Sequence, residues 1–257
     1  MATFLFDEII FGPVRSRRLG VSLGVNLLPT TSKICNFDCI YCECGWTHRS
    51  SSPNLPTRKE VKERMHSRLE RMRADAEELD VITFAGNGEP TIHPDFVEII
   101  DDTISLRDRY FPNAKIAVLS NSTMLHKPKI VEALKRVDQN ILKLDSGFDS
   151  TINLLNKPYK PLTASKIVEH LKQFNGNFIL QTLFVRGSYN GQPVDNASKE
   201  ELAKWLDIVA ELKPKEVMVY TIARDTPIDT LEKVPIDELE GIAKKIRSLG
   251  IPVQVSG

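Results

Sequence analysis

The sequence predicts an α/β fold, a partial (β/α)6 barrel of TIM-like type, formed by residues 1–257 as a single domain. Three observations predict it. From residue 80 onward, short apolar β-leaning runs alternate with longer helix-patterned segments, which is the signature of parallel strands covered by helices on both faces. With the apolar run at residues 21–29 included, the alternation gives six β–α units, short of the eight that close a barrel. The residues with chemical character fall just after the strands, where α/β barrels carry their sites. A doubly wound sheet is the topological alternative, which periodicity leaves open.

The elements follow in order. Residues 11–20 read as a compact, turn-rich stretch with Arg15, Arg17 and Arg18, and residues 21–29 as a strand leading into a cysteine-bearing loop. Residues 48–56 are rich in Ser and Pro and read as a loop. Thr57 is then a helix N-cap, and Glu60 completes a capping box. The charged helix it opens runs to about residue 78 and faces solvent over most of its surface. Strands are predicted at 80–85, 115–120, 141–144, 178–184, 216–220 and 251–255. Helices are predicted at 95–107, 128–137, 164–174, 199–212 and 236–249, the second opening on Pro128 in its first turn.

Composition narrows the function. The 257 residues are 41% hydrophobic and 26% charged, with Lys+Arg and Asp+Glu both at 34. A net charge of zero argues against a broad nucleic-acid-binding surface and leaves room only for a local basic patch. Residues 1–11 contain Asp7 and Glu8 and lack the pattern of a secretory signal. No apolar run reaches the ~20 residues of a membrane span. The cysteines are clustered rather than spread as a disulfide framework, which fits a reducing compartment. The expected location is cytoplasmic.

The chain is organised around Cys35, Cys39 and Cys42, spaced C-x3-C-x2-C. One short loop of this spacing can bring three thiolates to three irons of a cubane. The fourth iron is then left without a protein ligand, whereas electron-transfer clusters recruit a fourth cysteine. A zinc site would need a second ligand pair a dozen or more residues away, yet all four cysteines lie between Cys35 and Cys44. Cys44 is the spare, and it reads most simply as a small loop residue, with a place beside the cluster as the alternative.

A second motif, Gly86-Asn87-Gly88-Glu89-Pro90, ends the next strand. Its glycines suit close backbone approach, and Glu89 suits a ligand ammonium. Later strand ends supply Asn121, Lys143, Asp145, Gln181 and Arg224. Lys143 and Asp145 are two apart on a strand and so share a face. If that face is interior, Lys143 is a buried amine able to form a Schiff base or to orient substrate. Either Gln181 or Thr182 must point inward. Arg224 suits a carboxylate or phosphate, or a rim salt bridge. No pair of histidines has metal-ligand spacing.

The cysteine spacing, with Tyr41 just before the third cysteine and the Asn87-Gly88-Glu89 turn, resembles the radical S-adenosylmethionine (SAM) superfamily. Residues 11–26 and 86–94 look like its wyosine-synthase-related branch, although no cysteines remain for that branch's second cluster. The resemblance implies a 4Fe–4S cluster on Cys35, Cys39 and Cys42, with SAM on its open iron. It also implies that the turn at Gly86, Asn87, Gly88 and Glu89 holds the SAM amino group, with Asn87 standing where the pattern has a first glycine. Ribose contacts are implied near Asn121 and Asp145, and Tyr41 and Gln181 complete the expected cofactor set. A flavodoxin or ferredoxin would supply one electron, and a 5′-deoxyadenosyl radical would take hydrogen from substrate.

The leading expectation is therefore an enzyme acting on a small molecule or nucleobase, possibly within tRNA, with Lys143 and Arg224 as catalytic candidates. Arg15, Arg17, Arg18, His48 and Arg49 would form a local anion-binding rim. The alternatives are a glycyl-radical activase or peptide-modifying enzyme, and a non-catalytic iron–sulfur protein.

Overall fold

The computed structural model describes residues 4–16, 18–48 and 54–257. Arg17 and Arg49 of the expected basic rim lie outside the described residues. The chain opens with β1 (Ile10–Ser16) and β2 (Gly20–Val25), then α1 (Arg58–Ala74), β3 (Val81–Phe84), α2 (Phe96–Tyr110), β4 (Lys115–Ser120) and α3 (Pro128–Arg136). It continues with β5 (Gln139–Lys143), α4 (Asp149–Asn156), α5 (Ala164–Lys172), β6 (Ile179–Leu183), β7 (Val185–Tyr189) and β8 (Gln192–Asp195). The last elements are α6 (Lys199–Leu212), β9 (Glu216–Tyr220), β10 (Leu231–Lys233), α7 (Ile236–Arg247) and β11 (Val253–Ser256).

Eight strands form one curled sheet in the order β1-β2-β3-β4-β5-β6-β9-β11. Every pairing from β2 to β11 is parallel, and β1 runs antiparallel along the β2 edge. The edges β1 and β11 do not pair, so the sheet is an open half-barrel of six β–α units with one extra parallel strand. The partial-barrel expectation is met. Residues 11–20, expected as a turn-rich stretch, are instead mostly a hairpin strand; a register shift between Phe11 and Val14 accommodates Gly12 and Pro13. Proline is tolerated there because β1 is an edge strand. A second sheet, β10-β7-β8, and α4 were not expected at all.

The two faces of the barrel sheet differ in chemistry. On the outer face, Phe84, Phe96, Leu142, Trp205 and Leu239 belong to the large core between strands and helices. Thr57 caps α1 with the expected capping box, and Val61, Met65, Leu69 and Met72 form that helix's buried stripe. On the inner face, Val81, Ala117, Ile141, Ile179 and Met218 make an apolar floor, packed against Leu19 and Leu119. Two residues further along, the same face presents Thr83, Lys143, Gln181 and Tyr220, as the two-residue period requires. The inner face thus changes from apolar to polar toward the C-terminal strand ends, where the cysteine loop lies.

Candidate active site

The cysteine loop is clipped on both sides by backbone hydrogen bonds. On one side, Ile34 N donates to Asn87 O at 2.9 Å and Glu89 N donates back to Ile34 O at 3.2 Å. A Cβ on Gly88 would stand 1.8 Å from Ile34 O, so only glycine permits this approach. On the other side, Asp38 N donates to Asn156 O at 3.0 Å and Ile40 N to Leu155 O at 2.9 Å. Phe37, Ile40 and Tyr41 then pack with Leu155, Leu183 and Val194 in a separate apolar cluster. The small second sheet therefore supports the loop from behind.

Cys35, Cys39, Cys42 and Cys44 all border one cavity of ≈ 760 Å³ at the C-terminal end of the barrel. Among the described residues, no three His, Cys, Asp or Glu side chains converge on a single metal ion; a cubane takes one thiolate per iron and holds its ligands further apart. The loop's donors face sulfur. Phe37 N lies 3.4 Å and Asn121 Nδ2 3.5 Å from Cys35 Sγ, and Asn156 Nδ2 lies 3.5 Å from Cys39 Sγ. Hydrogen bonds of this kind tune iron–sulfur clusters. Burial pushes the Cys35 and Cys39 thiols up. A hydrogen bond from Cys44, against the cost of burial and helped by the Lys33 charge, holds Cys42 down to about 6. Cys44 borders the cavity and lies 3.6 Å from Gly86 O.

Lys33 lies beneath this loop with its side chain 2% exposed. Its Nζ donates to Gly45 O at 2.8 Å and sits 3.7 Å from Asp38 Oδ1. Burial opposes its charge, but the negative charge of Cys42, Cys35, Cys39 and Asp38 outweighs burial and raises its pKa. The residues fit the implied cluster on this observation: three thiols share one cavity wall with a buried cation placed to offset their charge.

Glu89 is buried on the neighbouring wall of the same cavity. Its carboxylate accepts from Asn121 N at 2.6 Å, Ser120 Oγ at 2.9 Å, Thr91 N at 3.1 Å and the Thr91 hydroxyl. No Lys, Arg or His among the described residues pairs with it, and burial raises its pKa despite those donors. A buried carboxylate without a counter-cation, open to a cavity, suits a ligand ammonium. Asn121 also lines the cavity, with Nδ2 donating to Asn36 Oδ1 at 2.7 Å.

Asn87, expected among the cofactor contacts, is turned away from the cavity. Its Oδ1 accepts from Phe6 N at 2.8 Å, while Nδ2 donates to Phe6 O and Pro29 O, both at 2.8 Å. Two of these bonds clamp Phe6 of the N-terminal segment, and the third ties the turn to Pro29 ahead of the cysteine loop. Gly86 and Gly88 do line the cavity.

Asp145, expected at the ribose, is likewise withdrawn. It accepts from the Tyr41 hydroxyl, from Asn156 Nδ2 at 2.7 Å, from Leu183 N at 3.0 Å and from Lys143 Nζ at 3.4 Å. Lys143 faces the interior as the strand period requires, and it also reaches the Tyr220 hydroxyl at 3.3 Å. Burial lowers its pKa, but Asp145, Tyr220 and Cys39 outweigh burial and raise it overall. The amine is therefore directed at Asp145 and Tyr220 on the inner face. Tyr41 and Gln181 line the cavity, and Thr182 instead donates to Leu144 O at 2.7 Å. Arg224 stands at the rim, 58% exposed, 2.8 Å from Glu43 Oε2, where it ties the cysteine loop to the segment after β9.

Sequence reasoning missed Lys33, Asn156 and the inward course of Arg18. Lys33 carried a usable signal, a lysine two residues before the first cysteine. Asn156 carried none, since it reaches Cys39 from an unexpected helix.

The open barrel thus gathers the cysteine thiols, a buried lysine and a buried carboxylate with no cationic partner among the described residues around one cavity at its strand ends. Residues 30–206 match the Radical SAM superfamily, and the chain belongs to that superfamily. It is 30% identical over 239 residues to a protein named GTPase Obg from Brachyspira hyodysenteriae, covering 91% of this chain and 33% of that one. It is 31% identical over 237 residues to a UPF0026 protein of Helicobacter pylori strain J99, covering 90% of this chain and 71% of that one. The chain therefore spans about a third of the first relative and most of the second. Among solved structures, a radical SAM methyltransferase from Sphaerobacter thermophilus superposes with TM-score 0.67 at 15% identity, covering 91% of this chain and 65% of that one. Streptococcus suis SuiB bound to S-adenosylmethionine superposes with TM-score 0.63 at 18% identity, covering 88% and 49%. These two show a shared fold.

Proposed function

We propose that this chain is a radical SAM enzyme acting on a small molecule or nucleobase, with Cys35, Cys39 and Cys42 as ligands of a 4Fe–4S cluster. The observation that carries the reading is the shared cavity, with three thiols and Lys33 on one wall and the cation-less Glu89 on the next. A cluster and SAM bound there would supply reductive, one-electron chemistry for removing hydrogen from substrate. The protein's residues do the rest. Glu89 holds the SAM ammonium, with Ser120, Thr91 and the Asn121 amide fixing its carboxylate. Tyr41 borders the cofactor space, its hydroxyl anchored on Asp145. Lys33 offsets thiolate charge, and Asn121 and Asn156 donate to sulfur. The N-terminal segment held by Asn87 covers part of the mouth and limits water entry. A small flavodoxin- or ferredoxin-type protein is the proposed electron donor.

The reading is tested by anaerobic cluster reconstitution followed by electron paramagnetic resonance of the reduced protein with and without SAM. A 4Fe–4S signal that SAM alters in the wild type, but not in Glu89→Gln at the same SAM concentration, is expected. A signal that SAM leaves unaltered in the wild type would contradict SAM binding at the cluster.

A further inference from the structure

The inner wall at β6 and β9 brings Gln181 and Tyr220 together with Lys143 and Arg18 in the same cavity. Arg18, in the turn between β1 and β2, sends its side chain into the barrel interior. Its NH1 donates to Gln181 Oε1 at 3.2 Å, and its guanidinium carbon stands 4.6 Å from the centre of the Tyr220 ring. The turn itself is fixed, because Ser16 Oγ accepts from Leu19 N at 3.2 Å and Gln254 Nε2 donates to Arg18 O at 3.0 Å. That last bond reaches β11, so Arg18 is pinned across the open side of the half-barrel.

Among the described residues, this wall has more hydrogen-bond donors than acceptors to receive them. Gln181 spends its oxygen on Arg18 and donates Nε2 to the Tyr220 hydroxyl at 2.9 Å. Tyr220 oxygen therefore accepts from both Gln181 and Lys143, which leaves its own proton to give. Four N–H groups of Arg18 are not spent on Gln181. Among the described residues, no carboxylate pairs with Arg18, while Asp145 serves Lys143. A half-buried guanidinium with neutral partners only, beside a phenol whose proton lacks an acceptor, calls for an oxyanion.

We infer that Arg18, with the Tyr220 hydroxyl, forms a subsite for a phosphate or carboxylate group of the substrate, at the open side of the barrel. The inference rests on the proposed function in taking the cavity as a substrate site. It also predicts where a substrate turns: its anion lies against β6 and β9, and its remainder runs along Phe6 and Phe11, which stack at 4.0 Å beside the same cavity.

The test uses cluster-loaded protein, with inorganic phosphate and acetate as probes, followed by calorimetry with and without saturating SAM. Wild-type protein should bind one or both probes equally in the two conditions, and their order assigns phosphate or carboxylate chemistry. Arg18→Gln should weaken binding on the order of tenfold or more, and Arg18→Lys should fall between. Exposed Lys129→Gln on α3 should bind as wild type. Circular dichroism of each variant checks folding, and Arg18→Lys carries the test if Arg18→Gln misfolds. Displacement of the probe by SAM would assign the anion to the SAM carboxylate and overturn the inference. So would the absence of probe binding, or binding indifferent to Arg18. SAM cleavage by the same preparation, measured separately, reports on the radical SAM reading itself, so the two can fail independently.

Discussion

The Lys33 ammonium donates to the Gly45 carbonyl at 2.8 Å, spanning the cysteine loop from its start to its end with almost no exposure to solvent. Its charge is set against three thiols rather than against a hydrogen-bonded carboxylate, since Asp38 stays at 3.7 Å. A cation fixed beside a cluster favours the added electron.

Lys33→Met removes that charge, so electron addition becomes harder and the cluster potential moves negative. A shift of about 60 mV, the one-electron equivalent of a tenfold change, is expected in an anaerobic redox titration followed by electron paramagnetic resonance. An unchanged potential would show that Lys33 serves the loop's geometry alone.

Thiol reactivity of the metal-free protein should depend on pH in a site-specific way. Cys42 is held down to about 6 chiefly by its hydrogen bond with Cys44. It is therefore thiolate above pH 6 and loses reactivity as pH falls through that value. Iodoacetamide labelling, read by peptide mass spectrometry, should show Cys42 reacting first with a midpoint near 6. Cys44→Ala should move the midpoint toward the ordinary thiol value of about 8.5.

Asn87→Ala should release the N-terminal segment. Three hydrogen bonds are lost and the buried Pro29 carbonyl loses a donor, a cost of about 1–3 kcal/mol. Hydrogen exchange at Phe6 should accelerate with little change at β3 or β4. Unaltered exchange at Phe6 would mean the segment is held by its aromatic contacts instead.

Lys143→Ala strips the buried Asp145 carboxylate of its one cation. Destabilisation of about 3 kcal/mol is expected in denaturant unfolding, because Asp145 has no exposed side-chain surface through which water could compensate. Lys143→Ala with wild-type stability would show that the Tyr41, Asn156 and Leu183 donors hold the carboxylate unaided.

Legibility of the sequence followed the range of the interactions. The six β–α units were readable because each strand and helix declares its own period. The C-x3-C-x2-C loop and Gly88-Glu89 were readable because their chemistry is local. Strand β1 was not, since Gly12 and Pro13 are ordinary turn signals that only an edge position excuses. Asp145 and Asn87 were placed on the right strand ends, but the direction of a side chain there depends on partners 104 and 81 residues away. The inward turn of Arg18 depends on Gln181, 163 residues on.

The most direct test of the central claim is product analysis. Anaerobically reconstituted protein is given SAM and dithionite, and 5′-deoxyadenosine is followed by mass spectrometry, with Cys39→Ala as control and cell extract added in a parallel arm. Formation of 5′-deoxyadenosine by the wild type and not by Cys39→Ala is the predicted result. An intact, reduced cluster that yields none, with or without extract, would contradict it and favour a non-catalytic iron–sulfur protein.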